Sequence, residues 1–309
     1  MKKQEIFKTL SEYKRILEDK GYNVIYIGLY GSQNYNVDDE LSDIDAKAII
    51  LPTLHDIIFR KVTSTTIELE NGAIDVKDLI TYYDVIRKGN FSYVEAIDTE
   101  YSIGDKYIKE LFKQIRPNLK SILGAIHEKR KALTHEYPSK TDEFKKWGFD
   151  PKQYHHIIRL QHLLDFNVKL RMPHRYRSYM RYYDDGDKHY SGATVFDVCR
   201  KHMIDIKRNV NNMDLHRVVE NADICVEYAK ELIPEDYKYE PVDLSDEINK
   251  YIEDKLKIEL LKNNAVVSAR EVRTFDNDIP KKDLEKFPIL EQYKGQDISY
   301  IVYESIELL

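Results

Sequence analysis

The chain has 309 residues, of which 42% are hydrophobic and 33% are charged, with a net charge of −6. That length suits one large domain or two ordinary ones, and the composition excludes a mainly disordered chain. Glycine is scarce, at 11 residues, which favours a helix-rich protein.

The first third of the chain alternates helix and strand signals. Apolar residues at helical spacing predict a helix over 3–20, and helices are also expected over 78–88 and 91–98. Short runs of strand formers predict strands at 23–30 and 43–51, and a hairpin is expected around Asn71-Gly72, with strands at 65–70 and 73–77.

Beyond residue 105 the strand signal fades. Helices are predicted over 105–133, 151–170, 193–232 with a break near 209–212, and 243–263, while 134–150 is a polar linker. We therefore predict an α/β (α+β) domain with a small mixed sheet over residues 1–110. A mainly helical domain is predicted over residues 111–309.

Charge is unevenly distributed along this chain. Residues 1–110 carry a net charge of −6, residues 111–217 carry +10, and residues 218–309 carry −10. A basic middle between acidic flanks indicates that the middle faces an anionic partner. The alternative is that the acidic C-terminal third packs against the basic middle.

Cysteine content and hydropathy bear on location. Two cysteines, Cys199 and Cys225, are too few for a disulfide framework and lack zinc-site spacing, so we expect reduced thiols. The N-terminus is charged and amphipathic, unlike a signal peptide, and no segment approaches the roughly 20 apolar residues that span a bilayer. We expect a cytoplasmic protein with no membrane partner.

The candidate site residues lie between the first two predicted strands. The first strand ends in Gly31-Ser32, and Asp43 and Asp45 stand at the start of the second. Residues i and i+2 of a strand point to the same side, so the two carboxylates share a face and repel unless a cation lies between them. Mg²⁺ suits such a site, while Gly31 lets a phosphate approach and Ser32 offers a hydroxyl and an N–H group.

A third carboxylate follows the predicted hairpin turn. Asp75 lies on the second hairpin strand and can reach the same edge if that strand pairs with 43–51. Three acids and a phosphate-binding turn are the parts of a two-metal site for phosphoryl or nucleotidyl transfer.

This arrangement resembles the polymerase-β-like nucleotidyltransferase superfamily. The text YGSQNYNVDDELSDIDAKAIILP is similar to its branch of predicted nucleotidyltransferases from bacteria and phages. The resemblance covers residues 22–98, and a weaker similarity extends over residues 151–165. It implies a mixed sheet followed by a helical domain, and metal-dependent transfer of a nucleoside monophosphate from an NTP to an acceptor hydroxyl, with release of pyrophosphate.

The resemblance also implies roles for individual residues. Gly31 and Ser32 would hold the triphosphate, and Asp43 and Asp45 would ligate two Mg²⁺ ions, for which Mn²⁺ is a possible substitute. Asp75 would ligate the catalytic ion and deprotonate the attacking hydroxyl.

A basic helix face is predicted near the start of the 151–170 helix. Lys152, His156 and Arg159 are at positions i, i+4 and i+7, which share one face. The triphosphate would supply the anionic partner that such a stripe needs, and relatives resemble this pattern. The alternative is an ordinary surface face with a capping lysine.

Arginine and tyrosine alternate within residues 171–183. Arg175, Tyr176, Arg177 and Tyr179 have the chemistry to contact phosphates and to stack on unpaired bases. The alternative is a helix–loop surface whose tyrosines cover the core. We expect the acceptor to be a tRNA-like RNA 3′ end, with a protein hydroxyl second (AMP or UMP modification) and a small-molecule hydroxyl third. A nucleotide- or RNA-binding module without turnover is the rival from another class.

Overall fold

A computed structural model describes residues 3–138, 141–169, 192–262, 265–275, 285 and 298–308. The chain divides into two compact units between Leu244 and Ser245. The domain boundary predicted near residue 110 lies inside the first unit and stays a prediction. None of the helices in the described ranges combines the length and the apolar character that crossing a membrane requires.

The first unit contains a five-stranded mixed sheet. Its strands are β1 (Val24–Tyr30), β2 (Asp45–Ile50), β3 (Ser64–Leu69), β4 (Gly72–Asp78) and β5 (Ser102–Gly104). The order across the sheet is β3-β4-β2-β1-β5, in which β2 and β4 are parallel and the other neighbours are antiparallel. The predicted mixed sheet is confirmed, with the correction that β2 begins at Asp45, so Asp43 precedes the strand.

Ten helices belong to the described part of the first unit. They are α1 (Lys3–Asp19), α2 (Leu54–Ile58), α3 (Leu79–Ile86), α4 (Phe91–Asp98), α5 (Lys106–Phe112), α6 (Leu119–Leu133), α7 (Thr141–Trp147), α8 (Pro151–Lys169), α9 (Gly192–Arg208) and α10 (Leu215–Leu232). The helix predicted over 105–133 is two helices, because Pro117 disfavours helical backbone before it and Asn118 caps α6. α7 lies in the predicted linker.

The hairpin turn positions β4 against the start of β2. Gly72 has φ +147°, and a Cβ atom there would clash with the carbonyl oxygen of Ile44. The amide of Ile44 in turn donates to the Asn71 carbonyl at 2.9 Å. The Asn71-Gly72 pair therefore makes the turn and lets the hairpin approach the segment that carries the two acids.

Two hydrophobic clusters fix the surroundings of the site. In the first, the buried residues of α1 (Ile6, Leu10, Tyr13 and Leu17) pack with the sheet. In the second, α6, α8, α9 and α10 pack together and also enclose Tyr35 and Val37 from the β1–β2 loop (residues 31–44). That loop is therefore anchored in the helical cluster while its two ends belong to the sheet.

The second unit contains a helix and a two-stranded sheet in its described part. α11 (Ser245–Lys262) confirms the helix predicted over 243–263. β6 (Ala265–Phe275) and β7 (Ile298–Leu308) pair antiparallel, whereas the region had been expected to be mainly helical. Both strands are rich in β-branched or aromatic residues, so the strand signal was present in the sequence.

Candidate functional site

One pocket of about 330 Å³ gathers most of the predicted site residues. Seven of them line it: Gly31, Ser32, Asp43, Asp45, Lys152, His156 and Arg159. The other lining residues are Tyr30, Tyr35, Leu41, Ser42, Phe91, Lys129, Asp150, Pro151, His155, Leu160, Lys207 and Arg208. The pocket therefore lies between the β1–β2 loop and the helices α8 and α9, and the roles of the seven residues stay predictions.

The turn after β1 is held close to Asp45. Tyr30 is opposite Asp45 in the antiparallel pairing of β1 and β2. Gly31 has φ +85°, and a Cβ atom there would lie 3.3 Å from Oδ2 of Asp45. The chain then turns tightly, since the Ser32 carbonyl accepts hydrogen bonds from the amides of Tyr35 at 3.2 Å and Val37 at 3.1 Å. Only glycine suits this conformation without strain.

Asp43 and Asp45 differ in their surroundings. Asp43 is exposed, whereas Asp45 is partly buried and its Oδ1 accepts a hydrogen bond from the Ala73 amide at 3.2 Å. Burial raises the pKa of Asp45, the Ala73 hydrogen bond opposes this, and the charge of Asp43 raises it further. A cation near both carboxylates would relieve this cost.

This donor set fits one Mg²⁺ ion. Mg²⁺ usually takes one or two carboxylates and completes its octahedron with waters and substrate phosphates. Over the described residues, no group of three or more His, Cys, Asp or Glu side chains could hold a metal ion. Asp43 and Asp45 would therefore supply a two-carboxylate site, and within the described residues no third acid completes a metal-binding group with them.

Asp75 lies in a different environment from the one predicted. It is opposite Lys47 in the parallel pairing of β4 with β2, and it is not among the lining residues of the pocket in the described structure. Its Oδ2 lies 2.9 Å from Lys47 Nζ and accepts a hydrogen bond from the Tyr93 hydroxyl at 2.6 Å, while Oδ1 lies 3.4 Å from Lys77 Nζ. Both carboxylate oxygens are thus paired, and the predicted metal role of Asp75 stays a prediction.

Charge and aromatic rings stabilise this arrangement. Burial alone would raise the pKa of Asp75, but Lys47 and the Tyr93 hydrogen bond hold it below its usual value. Lys47 Nζ also lies 4.1 Å from the Tyr93 ring centroid and 4.7 Å from that of Tyr30. Sequence reasoning missed both lysines, although each lies two positions after a predicted acid and therefore on its face of the strand.

Arg159 belongs to a buried network. Its Nη1 donates to Glu95 Oε1 at 3.0 Å, and the other oxygen of Glu95 accepts from the Tyr35 hydroxyl at 2.8 Å. The guanidinium lies 4.0 Å from the Tyr35 ring centroid, and all three residues are at most 5% exposed. Arg159 thus connects α8 to α4 and to the β1–β2 loop.

The C-terminal half of α9 holds the β1–β2 loop. Lys207 Nζ donates to Ser42 Oγ at 2.9 Å, and Arg208 donates to both oxygens of Asp39 at 2.6 and 2.8 Å. Arg200 donates to the carbonyl of Asp38. These contacts fix the chain just before Asp43. They also show that part of the basic middle segment is paired with acids of the N-terminal segment.

Replacing Arg208 by alanine should weaken the contacts between α9 and the β1–β2 loop. Hydrogen bonds from Arg208 hold the pKa of Asp39 well below its usual value, against the opposing effect of burial. A depressed carboxylate pKa contributes stability above the unfolded-state pKa and loses it as the pH falls. We expect Arg208→Ala to lower the free energy of unfolding by about 1 kcal/mol at neutral pH. The difference from the parent should shrink only below about pH 2, where the pH falls through the depressed folded-state pKa of Asp39.

Urea unfolding at both pH values measures this difference. Lys230→Ala, which removes an exposed ion pair with Glu227, is the control and should cost less than about 0.5 kcal/mol. An equal loss for Arg208→Ala at neutral pH and below about pH 2 would show that the stability does not come from pairing with the ionised carboxylate of Asp39.

Two neighbouring histidines line the pocket from α8. Burial, and then the nearby charges of Arg159, Lys207 and Lys152, lower the pKa of His155 to about 3. Burial also lowers the pKa of His156 well below its usual value. Both rings are therefore neutral at pH 7, so the predicted basic stripe carries charge at Lys152 and Arg159 only. Lys152 is exposed and has no ion-pair partner among the residues that the structure describes.

The predicted acceptor-binding residues cannot be placed. Arg175, Tyr176, Arg177 and Tyr179 lie outside the described residues. Their predicted contact with RNA stays a prediction.

Comparisons with known proteins find remote likeness among solved structures. The comparisons with protein-family models and with curated proteins find no match. Among solved structures, the chain is similar to a nucleotidyltransferase-like protein from Exiguobacterium sibiricum 255-15, at 10% sequence identity and a TM-score of 0.24. The match covers 94% of this chain and 98% of that chain. A likeness at this level carries no argument about the site.

Proposed function

We propose that this protein is a divalent-metal-dependent nucleotidyltransferase. The observation that supports the proposal is the composition of a single pocket. It combines the Gly31-Ser32 turn, the carboxylates of Asp43 and Asp45, and the basic N-terminal part of α8. An NTP with its counter-ion needs these three elements, namely a close backbone approach, cation ligands and positive charge near the phosphates.

Each pocket residue would have a role that follows from its chemistry. The hydroxyl and the N–H group of Ser32 would bind phosphate oxygens, and Lys152 would stabilise the charge of the departing pyrophosphate. Asp43 and Asp45 would hold a Mg²⁺ ion, which supplies charge neutralisation of the phosphates when bound. The acceptor oxygen would bond to the α-phosphorus as the bond to pyrophosphate breaks, and the hydroxyl proton would pass to Asp75, once its contacts with Lys47 and Lys77 open.

The acceptor is proposed to be an RNA 3′ end. This proposal is supported by the net charge of +10 over residues 111–217 and by the alternation of arginine and tyrosine within 171–183. Protein hydroxyls and small-molecule hydroxyls are the second and third choices.

Transfer of label tests the proposed activity. The protein is incubated with each α-³²P-NTP, Mg²⁺ and a cell extract, and label is then sought in RNA, in protein and in small molecules. We expect Mg²⁺-dependent label in RNA. Label in protein instead would move the acceptor to the second choice, and no label in any fraction would contradict nucleotidyl transfer.

A nucleotide-binding module without turnover is the second candidate. It is favoured by the paired state of Asp75, whose two oxygens contact Lys47, Lys77 and Tyr93. This candidate predicts that NTP binds with Mg²⁺ while no label moves. Asp75→Asn separates the two functions further, since it should abolish label transfer only if Asp75 takes part in the reaction.

A further inference from the structure

His155 stands apart from the other charged and polar residues of the pocket. It lines the pocket, is only 2% exposed, and both of its ring nitrogens are buried. Within the described part of the chain, neither nitrogen has a hydrogen-bond partner. A buried polar atom that lacks a partner destabilises the fold, so each such atom in a native structure calls for an explanation.

Packing alone does not explain this histidine. α8 packs several apolar side chains into the helical cluster, among them Ile157, Leu160 and Leu164. A leucine in place of His155 would also pack there, without two buried nitrogens that lack a hydrogen-bond partner. His155 instead lines the pocket, where a ligand can supply the missing partner.

The neighbours of His155 indicate what that partner is. Lys152, Arg159 and Lys207 line the same pocket, and after burial their positive charges lower the pKa of the His155 imidazole. Arg159 is paired with Glu95, so the ammonium groups of Lys152 and Lys207 are the ones that would attract a ligand, and such a ligand is an anion. A neutral imidazole has one N–H donor, and an anionic oxygen accepts such a hydrogen bond more strongly than a neutral oxygen does.

We propose that His155 is a phosphate-contacting residue, which donates a ring N–H to an oxygen of the triphosphate of the bound nucleotide. The proposal rests on the proposed function only in taking the ligand to be a nucleotide. It adds a residue that the helix pattern of Lys152, His156 and Arg159 had left out. It also adds a neutral donor on α8, beside the charged side chain of Lys152.

The test uses inorganic triphosphate as the probe, without a divalent ion. Calorimetric titration compares the parent with His155→Leu and His155→Gln, and thermal unfolding is recorded for each protein without ligand. His155→Leu should bind triphosphate about tenfold more weakly, the loss expected for a hydrogen bond to a charged group. His155→Gln retains an N–H donor and should bind within about threefold of the parent.

Stability separates a ligand contact from a structural role. Leucine removes two orphaned polar atoms, so unliganded His155→Leu should melt at the same temperature as the parent or higher. His162→Leu is the matched control, because His162 is on the same helix but does not line the pocket, and its triphosphate affinity should be unchanged.

Three results would overturn the proposal. They are unchanged affinity in His155→Leu, a melting temperature that falls together with the affinity, and the absence of triphosphate binding by the parent. Failure of label transfer with triphosphate binding intact would instead count against the proposed reaction and leave the role of His155 standing.

Discussion

Replacing Asp43 and Asp45 together by asparagine is expected to lower nucleotidyl transfer about a thousandfold or more. Loss of the bound ion removes several kcal/mol of charge stabilisation from the transition state, and each 1.36 kcal/mol is a tenfold change in rate. Asparagine keeps the shape of both side chains and can still accept the hydrogen bond from the Ala73 amide. Label transfer from an α-³²P-NTP, followed over time, measures the change.

The same variant should not be less stable than the parent. Burial raises the pKa of Asp45, with a further contribution from the charge of Asp43, so the ionised carboxylate costs stability at neutral pH. Asparagine removes that cost. Asp142→Asn is the control, because Asp142 is exposed on α7 and does not line the pocket. Transfer at the parental rate in the double variant would contradict the proposed metal site.

Replacing Arg159 by alanine is expected to lower the free energy of unfolding by about 3–5 kcal/mol. The change would leave the carboxylate of Glu95 buried without its cation, and breaking a buried ion pair from one side is strongly destabilising. Loss of the contact with the Tyr35 ring adds to the effect. Urea unfolding of the parent and the variant measures it.

Arg130→Ala is the matched control for this prediction. Arg130 also pairs with an acid, Asp223, but at the surface, so its loss should cost about 1 kcal/mol or less. The double variant Arg159→Met, Glu95→Gln removes both charges and should recover much of the loss. If Arg159→Ala costs no more than Arg130→Ala, the buried network does not stabilise the fold.

The local part of the site could be predicted from the sequence. β1 ends at Tyr30 and β2 begins at Asp45, and antiparallel pairing of these successive strands brings the two ends together. The Asn71-Gly72 turn likewise predicted the hairpin. These features depend on interactions between neighbouring segments, which leave a signal in spacing and composition.

Long-range pairing was the part that could not be predicted. Arg159 pairs with Glu95, which is 64 residues away, and nothing in the spacing relates the two. Its predicted contact with a phosphate stays a prediction. For Asp75 the missing step was different. The sequence placed it on the correct strand, but the charges of its partners were not considered. Lys77 is two positions further along β4, and Lys47 is opposite it on β2.

His155 shows the limit of a helix-face argument. Positions i+3 and i+4 from Lys152 both lie close to the helix face of Lys152, so helical spacing predicts His155 and His156 equally well as pocket residues. The structure places both beside the pocket, and burial distinguishes them, since His155 is buried with both ring nitrogens and His156 is partly exposed.

The central claim is that this pocket binds a nucleotide triphosphate together with a divalent ion. A crystal structure of the protein with Mn²⁺ and a non-hydrolysable NTP analogue tests it most directly, because Mn²⁺ is located by its anomalous scattering. We predict an anomalous peak at the carboxylates of Asp43 and Asp45, with the triphosphate beside Gly31-Ser32 and Lys152. An ion and a triphosphate bound elsewhere on the protein, with this pocket containing only water, would contradict the claim.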